Sequence, residues 1–143
     1  MLIPGRCHCG NISFTLNWTP GPAGIPARAC GCSFCTKHGA VWTTSPAAEL
    51  RVRVTEPALV SRYAFATETA EFHICTRCGV VPLVTSRIAG RLYAVVNVHA
   101  LEGLDPALLR HAAVDFDGED VASRLARRQR HWIGDVEYAE GGG

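Results

Sequence analysis

The stretch "FHICTRCG", Phe72–Gly79, decides the fold. A predicted strand, "AEFHI" (Ala70–Ile74), runs into two cysteines three residues apart and then into a glycine. Cysteines at that spacing can turn both sulfurs toward one ion, which makes half of a tetrahedral thiolate site. Gly79 admits the positive φ that lets backbone N–H groups point at the sulfurs. The other half has to come from elsewhere in the chain, and "CHCG" (Cys7–Gly10), just ahead of the alternating strand "NISFTL" (Asn11–Leu16), supplies it. In extended chain, residues i and i+2 face the same way, so Cys7 and Cys9 reach one metal while His8 points away as a bystander. Cys7, Cys9, Cys75 and Cys78 together make a closed four-cysteine site, with no open position and a structural role.

Three cysteines remain, all in "RACGCSFCTKHGA" (Arg28–Ala40). Cys30, Cys32 and Cys35 give a trio with no fourth cysteine. Three protein ligands and one exchangeable position is the layout of a catalytic zinc, and a metal there would hold the thiols as thiolates near neutral pH. Nearby Arg28, Lys37 and His38 can offset the charge of such a centre or attract an anionic ligand. A different partition puts Cys7/Cys9 and Cys30/Cys32 on one metal. It leaves Cys35, Cys75 and Cys78 as a trio that spacing alone does not bring together. Disulfides are the competing reading. They are disfavoured in a reducing cytosol, and an odd number of cysteines, here seven, cannot all pair.

At 143 residues the chain predicts one domain, spanning 1–138, with a disordered tail at 139–143. A net charge of +1 gives no reason to expect nucleic acid. No apolar run is long enough to cross a bilayer, and the N-terminus lacks the apolar core of a signal peptide, so no membrane and a cytoplasmic location are expected. "TPGPAGIP" (Thr19–Pro26) reads as loop, while "AVWTT" (Ala40–Thr44), "LRVRV" (Leu50–Val54), "LVSRYAF" (Leu59–Phe65), "VVPLVTS" (Val80–Ser86) and "RLYAVVNV" (Arg91–Val98) read as strands. The proline in "VVPLVTS" predicts an edge or irregular strand. Many short strands joined by turns predict a mainly β domain. Helix is expected late: in "LDPALLRHA", where Asp105 caps and Pro106 takes the first position, and over Gly118–Arg130. Arg124, Arg127, Arg128 and Arg130 on the second helix are expected to form a solvated face.

Lesser candidates are Asn97 and His99, expected to satisfy backbone groups at a strand end. Trp42 either walls the trio or belongs to the core. Trp132 is expected to pack on the sheet and anchor the tail. Arg77 either supports the knuckle sulfurs or is exposed.

Three blocks taken together, "GRCHCGNISF", "CGCSFCTKHGA" and "FHICTRCG", resemble the glutathione-dependent formaldehyde-activating enzyme family, which also contains the centromere protein V type. They frame the chain from about Gly5 to Val98. The resemblance implies a mainly antiparallel β fold of the Mss4-like zinc-binding type, followed here by short C-terminal helices. It implies a structural zinc on Cys7, Cys9, Cys75 and Cys78 and an active-site zinc on Cys30, Cys32 and Cys35. It also implies carbon–sulfur lyase chemistry that joins formaldehyde to the thiol of glutathione, with a small thiol and aldehyde as partners. The tail from His99 onward carries no block whose role transfers. Two other functions compete. One is a binding module with two structural metals. The other is a methionine sulfoxide reductase, which would have to recruit Cys30, Cys32 or Cys35 because every cysteine lies in a cluster.

Overall fold

The computed structural model describes residues 1–141 apart from positions 20 and 22. In chain order its strands are β1 (Leu2–Arg6), β2 (Ile12–Asn17), β3 (Ile25–Cys30), β4 (Val41–Thr43), β5 (Glu49–Val54), β6 (Val60–Tyr63), β7 (Glu71–Cys75), β8 (Leu83–Ile88), β9 (Arg91–Asn97), β10 (Leu109–Val114) and β11 (Asp135–Glu140). Two α-helices join them, α1 (Ser33–His38) and α2 (Val121–His131). The strands form a small sheet in the order β1-β2-β5-β11 and a large one in the order β10-β3-β4-β9-β8-β7-β6. The chain is mainly β, as its pattern of short strands predicts. Most pairings are antiparallel; the late strands β10 and β11 add parallel to β3 and β5.

Side-chain alternation divides the interior into two cores. On β2 and β5, Ile12, Phe14, Leu16, Leu50, Val52 and Val54 point inward, whereas Thr15 and Arg53 face water. This small-sheet face packs on one side of the large sheet, against Leu83, Ala94 and Val96. The neighbours Val84, Tyr93 and Val95 point to the opposite side and build a second core with Trp42, Trp132, Cys32 and Cys35. β8 and β9 are therefore buried on both faces, which is why they read as near-continuous apolar runs. Pro82 does not mark an edge: it precedes β8, which lies between β9 and β7, and its carbonyl accepts from the Asn97 N–H at 2.8 Å.

The helix expected in "LDPALLRHA" is not there. Asp105 does cap, accepting from the Ala107 N–H at 3.0 Å, but one 3₁₀ turn (Pro106–Leu108) follows and then β10. Parallel pairing with β3 outweighs the local helix signal there. The loop expected over Thr19–Pro26 gives way to β3 at Ile25. The helix expected over Gly118–Arg130 is α2, Val121–His131, and Asp120 caps it by accepting from the Ser123 N–H at 2.7 Å. Ala139 and Glu140, expected in a disordered tail, belong to β11; positions 142 and 143 lie outside the described residues.

Replacing the fully buried Leu50 with alanine should cost about 2–5 kcal/mol. Thr15→Ala on the exposed face of the same sheet should stay within about 0.5 kcal/mol. Urea unfolding midpoints measure both, and equal shifts would contradict the assignment of faces.

Candidate metal centres and the cavity beside them

The first cluster is made by two similar turns. Cys7 and Cys9 sit between β1 and β2, where Cys7 N–H donates to the Ile12 carbonyl and Gly10 N–H to the Cys7 carbonyl. Cys75 ends β7, and the next turn repeats the pattern, Cys75 N–H to Val80 and Gly79 N–H to Cys75. Gly10 and Gly79 take φ of 84° and 80°, a conformation that a side chain strains. All four sulfurs lie within 4.8 Å of one another. A tetrahedral ion with bonds of about 2.3 Å to sulfur sets sulfur–sulfur distances of about 3.8 Å. Cys7–Cys9 is 3.8 Å and Cys9–Cys75 is 3.5 Å. The donor set thus fits a thiophilic ion.

Protons alone do not suit this packing. Burial pushes the Cys7 thiol up to about 12 and raises Cys75 as well. At Cys78 burial opposes ionisation, yet the N–H groups of Cys9 and Val80 help hold the thiol down at about 6. Packed thiols share few negative charges unless a cation joins them.

The second cluster is built differently. Cys30 ends β3, Cys32 is the residue that caps α1, and Cys35 lies in the first turn of that six-residue helix. Their sulfurs also lie within 4.8 Å of one another. Cys32 Sγ accepts from the Cys35 N–H at 3.3 Å, and Trp42 Nε1–H donates to Cys35 Sγ at 3.4 Å. Hydrogen bonding from the Cys35 thiol holds Cys30 down at about 6, and the same bond raises Cys35. Burial raises Cys32. Among the described residues no histidine or carboxylate joins the trio as a fourth ligand. His38 is exposed, its ring 4.5 Å from that of Phe34, and Lys37 is exposed as well. The short α1 was missed from sequence because six residues carry no periodic signal.

A cavity of about 130 Å³ opens beside the trio. Trp42, Phe65, Phe72, Val84, Val95 and Trp132 give it apolar walls, and Arg28, Arg127 and Arg128 bring charge to its lining. Trp42 is therefore both wall and sulfur donor. Trp132 packs on the sheet as expected and lines the cavity too.

The solvated arginine face expected on α2 is mostly absent. Only Arg130 of the four is exposed, and Arg128 is 5% exposed. Arg127 pairs with Glu119 at 3.0 Å and lies 3.6 Å over the Phe116 ring. The physical reason is that α2 covers the second face of the large sheet, where buried Ser86 and, in the loop before β7, half-buried Thr69 offer acceptors. Near-neutral total charge says nothing about one helix face. The available signal was Arg128 three residues after Leu125, on the side of the helix that packs inward.

The remaining candidates are settled by their contacts. Asn97 donates to the Val81 carbonyl at 3.0 Å and accepts from the His99 N–H at 3.1 Å, so it serves the backbone. His99 and His8 are exposed. Arg77 is exposed and paired with Glu56 at 3.3 Å. The structure gathers Cys7/Cys9 with Cys75/Cys78, not with Cys30/Cys32.

Residues 2–112 match the family model described as glutathione-dependent formaldehyde-activating enzyme. A crystal structure of a Rhodobacter sphaeroides protein, a structural-genomics target, is 35% identical with a TM-score of 0.56. The likeness covers 73% of this chain and 92% of that one. No curated protein matches the chain. No helix among the described residues is long and apolar enough to cross a membrane. Phe116 and all of α2 lie beyond the matched residues.

A structural zinc centre contributes about 10–16 kcal/mol, against a whole-domain stability of about 5–15 kcal/mol. Chelation should therefore abolish the cooperative melt seen by calorimetry. Cys75→Ser should do the same and Cys32→Ser should not. A metal-free protein that melts like the loaded one would show that the four-cysteine centre does not carry the fold.

Proposed function

The chain belongs to the glutathione-dependent formaldehyde-activating enzyme family, and from that premise we propose that it joins a small aldehyde such as formaldehyde to the thiol of glutathione or a related thiol. The reaction is that of a carbon–sulfur lyase run toward synthesis, of the S-(hydroxymethyl)glutathione synthase kind. The observation that carries the reading is a contrast in ligand number. One cluster presents four sulfurs; the other presents three and has a cavity beside it.

Zinc is the ion proposed for both centres, structural on Cys7, Cys9, Cys75 and Cys78, catalytic on Cys30, Cys32 and Cys35. Bound at the trio, zinc would supply Lewis acidity that favours the thiolate form of an incoming thiol and polarises a carbonyl. The chain's own groups do the rest. Cys30, Cys32 and Cys35 would hold the ion with three sulfurs, one fewer than the first cluster, which would leave room for the substrate's sulfur. Trp42 fixes the orientation of Cys35 through its indole N–H. The aromatic walls exclude water from a nucleophile that hydration would blunt. In the addition, a carbon–sulfur bond forms, the carbonyl π pair moves to oxygen, and the proton lost by the thiol ends on that oxygen. No oxidant or reductant is needed. A reducing compartment such as the cytoplasm suits seven unpaired cysteines. A binding module with two structural metals would need a fourth protein ligand at the trio.

The test is exchange NMR of glutathione with formaldehyde on the zinc-loaded protein. Exchange faster than the uncatalysed rate, lost in Cys32→Ser, is expected. Trp42→Phe should keep the metal and slow exchange by about tenfold or more. Exchange at the uncatalysed rate in the zinc-loaded protein would contradict the reading.

A further inference from the structure

The cavity carries a charge that the proposed addition does not use. Arg128 is 5% exposed, and its three hydrogen bonds among the described residues all leave from Nη1. They reach the Thr69 carbonyl at 3.2 Å, Thr69 Oγ1 at 2.8 Å and Ser86 Oγ at 3.2 Å. Nε is buried with no partner. The guanidinium carbon lies 5.0 Å from the Trp132 ring centroid. One corner of the planar fork is thus anchored and the Nε edge is left over.

No carboxylate of the described residues neutralises it. Glu119 is taken by Arg127 at 3.0 Å and lies 4.0 Å from Arg124. No acidic side chain is among the cavity's described lining, and Arg28, which also lines it, makes no ion pair among the described residues. Burial, with Arg124 and Arg127 nearby, pulls the Arg128 guanidinium down to about 10. A divalent ion on three thiolates would leave one net negative charge. Arg28 and Arg128 bring two positive ones and Asp115, which acts on Cys30, a negative one, but among the described residues no carboxylate pairs with Arg128. An unpaired buried charge is costly, and a ligand carboxylate relieves that cost. The Nε edge of an arginine is shaped to take a carboxylate through two parallel hydrogen bonds. The cavity lies well below the roughly 300–1,000 Å³ of drug-sized sites, so it suits a fragment. Formaldehyde, neutral and tiny, has no need of a buried cation.

We infer that Arg128, with Arg28, forms a specificity-determining subsite for a short carboxylate borne a few atoms from the reacting carbon or sulfur of the substrate. Where that carboxylate comes from rests on the thiol–aldehyde reading; that it binds does not. Two sources share the chemistry: a carboxylated aldehyde, for which glyoxylate is the probe, and a carboxylated thiol, for which mercaptoacetate is the probe. Arg128, on α2, lies outside the residues the family model matches, and Arg28 lies within them.

Trp42 and Trp132 line the cavity, so tryptophan fluorescence reports occupancy. The zinc-loaded protein is titrated with two matched pairs, mercaptoacetate against 2-mercaptoethanol and glyoxylate against glycolaldehyde. The carboxylated member of at least one pair should bind about tenfold tighter or better, and the pair that shows it names the source. Arg128→Gln should erase that preference and Arg128→Lys should keep part of it, with the neutral member bound as before in both. Equal affinity within about threefold in both wild-type pairs overturns the subsite, even if Arg128→Gln fails to fold. A full preference surviving in Arg128→Gln, or undiminished in Arg128→Lys, overturns the assignment to Arg128. Glutathione–formaldehyde exchange is read separately. Carboxylate preference without exchange sinks the thiol–aldehyde reading and keeps the subsite; exchange without preference does the reverse.

Discussion

Four sulfurs meeting at the corner of two sheets are the constraint on which the rest of the molecule depends. Cys7 and Cys9 belong to the hairpin of the small sheet, Cys75 and Cys78 to a turn of the large one, and the link from Cys9 to Cys75 spans 66 positions. A cation shared by these groups would close that long loop in one step, against an entropy that grows only slowly with loop length. It would pin the small sheet to one face of the large sheet. β8 and β9 then place alternate side chains in two separate cores, and the opposite face is left to α1, α2 and the cavity.

The two cysteine clusters differ in the backbone that builds them. The first cluster comes from two turns, each closed by a glycine at positive φ, that bring sulfurs in from both sides. The second comes from a strand end and a helix cap, which bring sulfurs in from one side. Beside the trio lies an aromatic cavity that Arg28, Arg127 and Arg128 also line, with no acidic side chain among its described lining. A centre held by thiolates and faced by arginine suits substrates that arrive as anions.

Much of this was legible in the sequence, for reasons that can be named. Cysteine spacing reports local geometry, so "CHCG" and "CTRCG" announced matching knuckles, and alternation in "NISFTL" and "LRVRV" announced one buried face each. β10 is not legible in the sequence because Asp105 and Pro106 are a true cap signal attached to a single turn, and the parallel partner β3 lies some eighty positions away. β1 carries no strand signal because "LIPGR" holds a proline and a glycine; its pairing with β2 makes it a strand. The burial of the α2 arginines is not legible because a helix rich in charge reads as surface. What decides otherwise is a pair of acceptors beside the second core, Ser86 on β8 and the Thr69 carbonyl in the loop before β7, which no local pattern reveals.

The claim at the centre of this account is that one thiolate centre is closed and the other open, and X-ray absorption at the zinc edge tests it most directly. Protein carrying two zinc ions should show an average of about 3.5 sulfurs per zinc, rising toward four when glutathione is added. Four sulfurs from the outset, or an average that glutathione does not move, would contradict it.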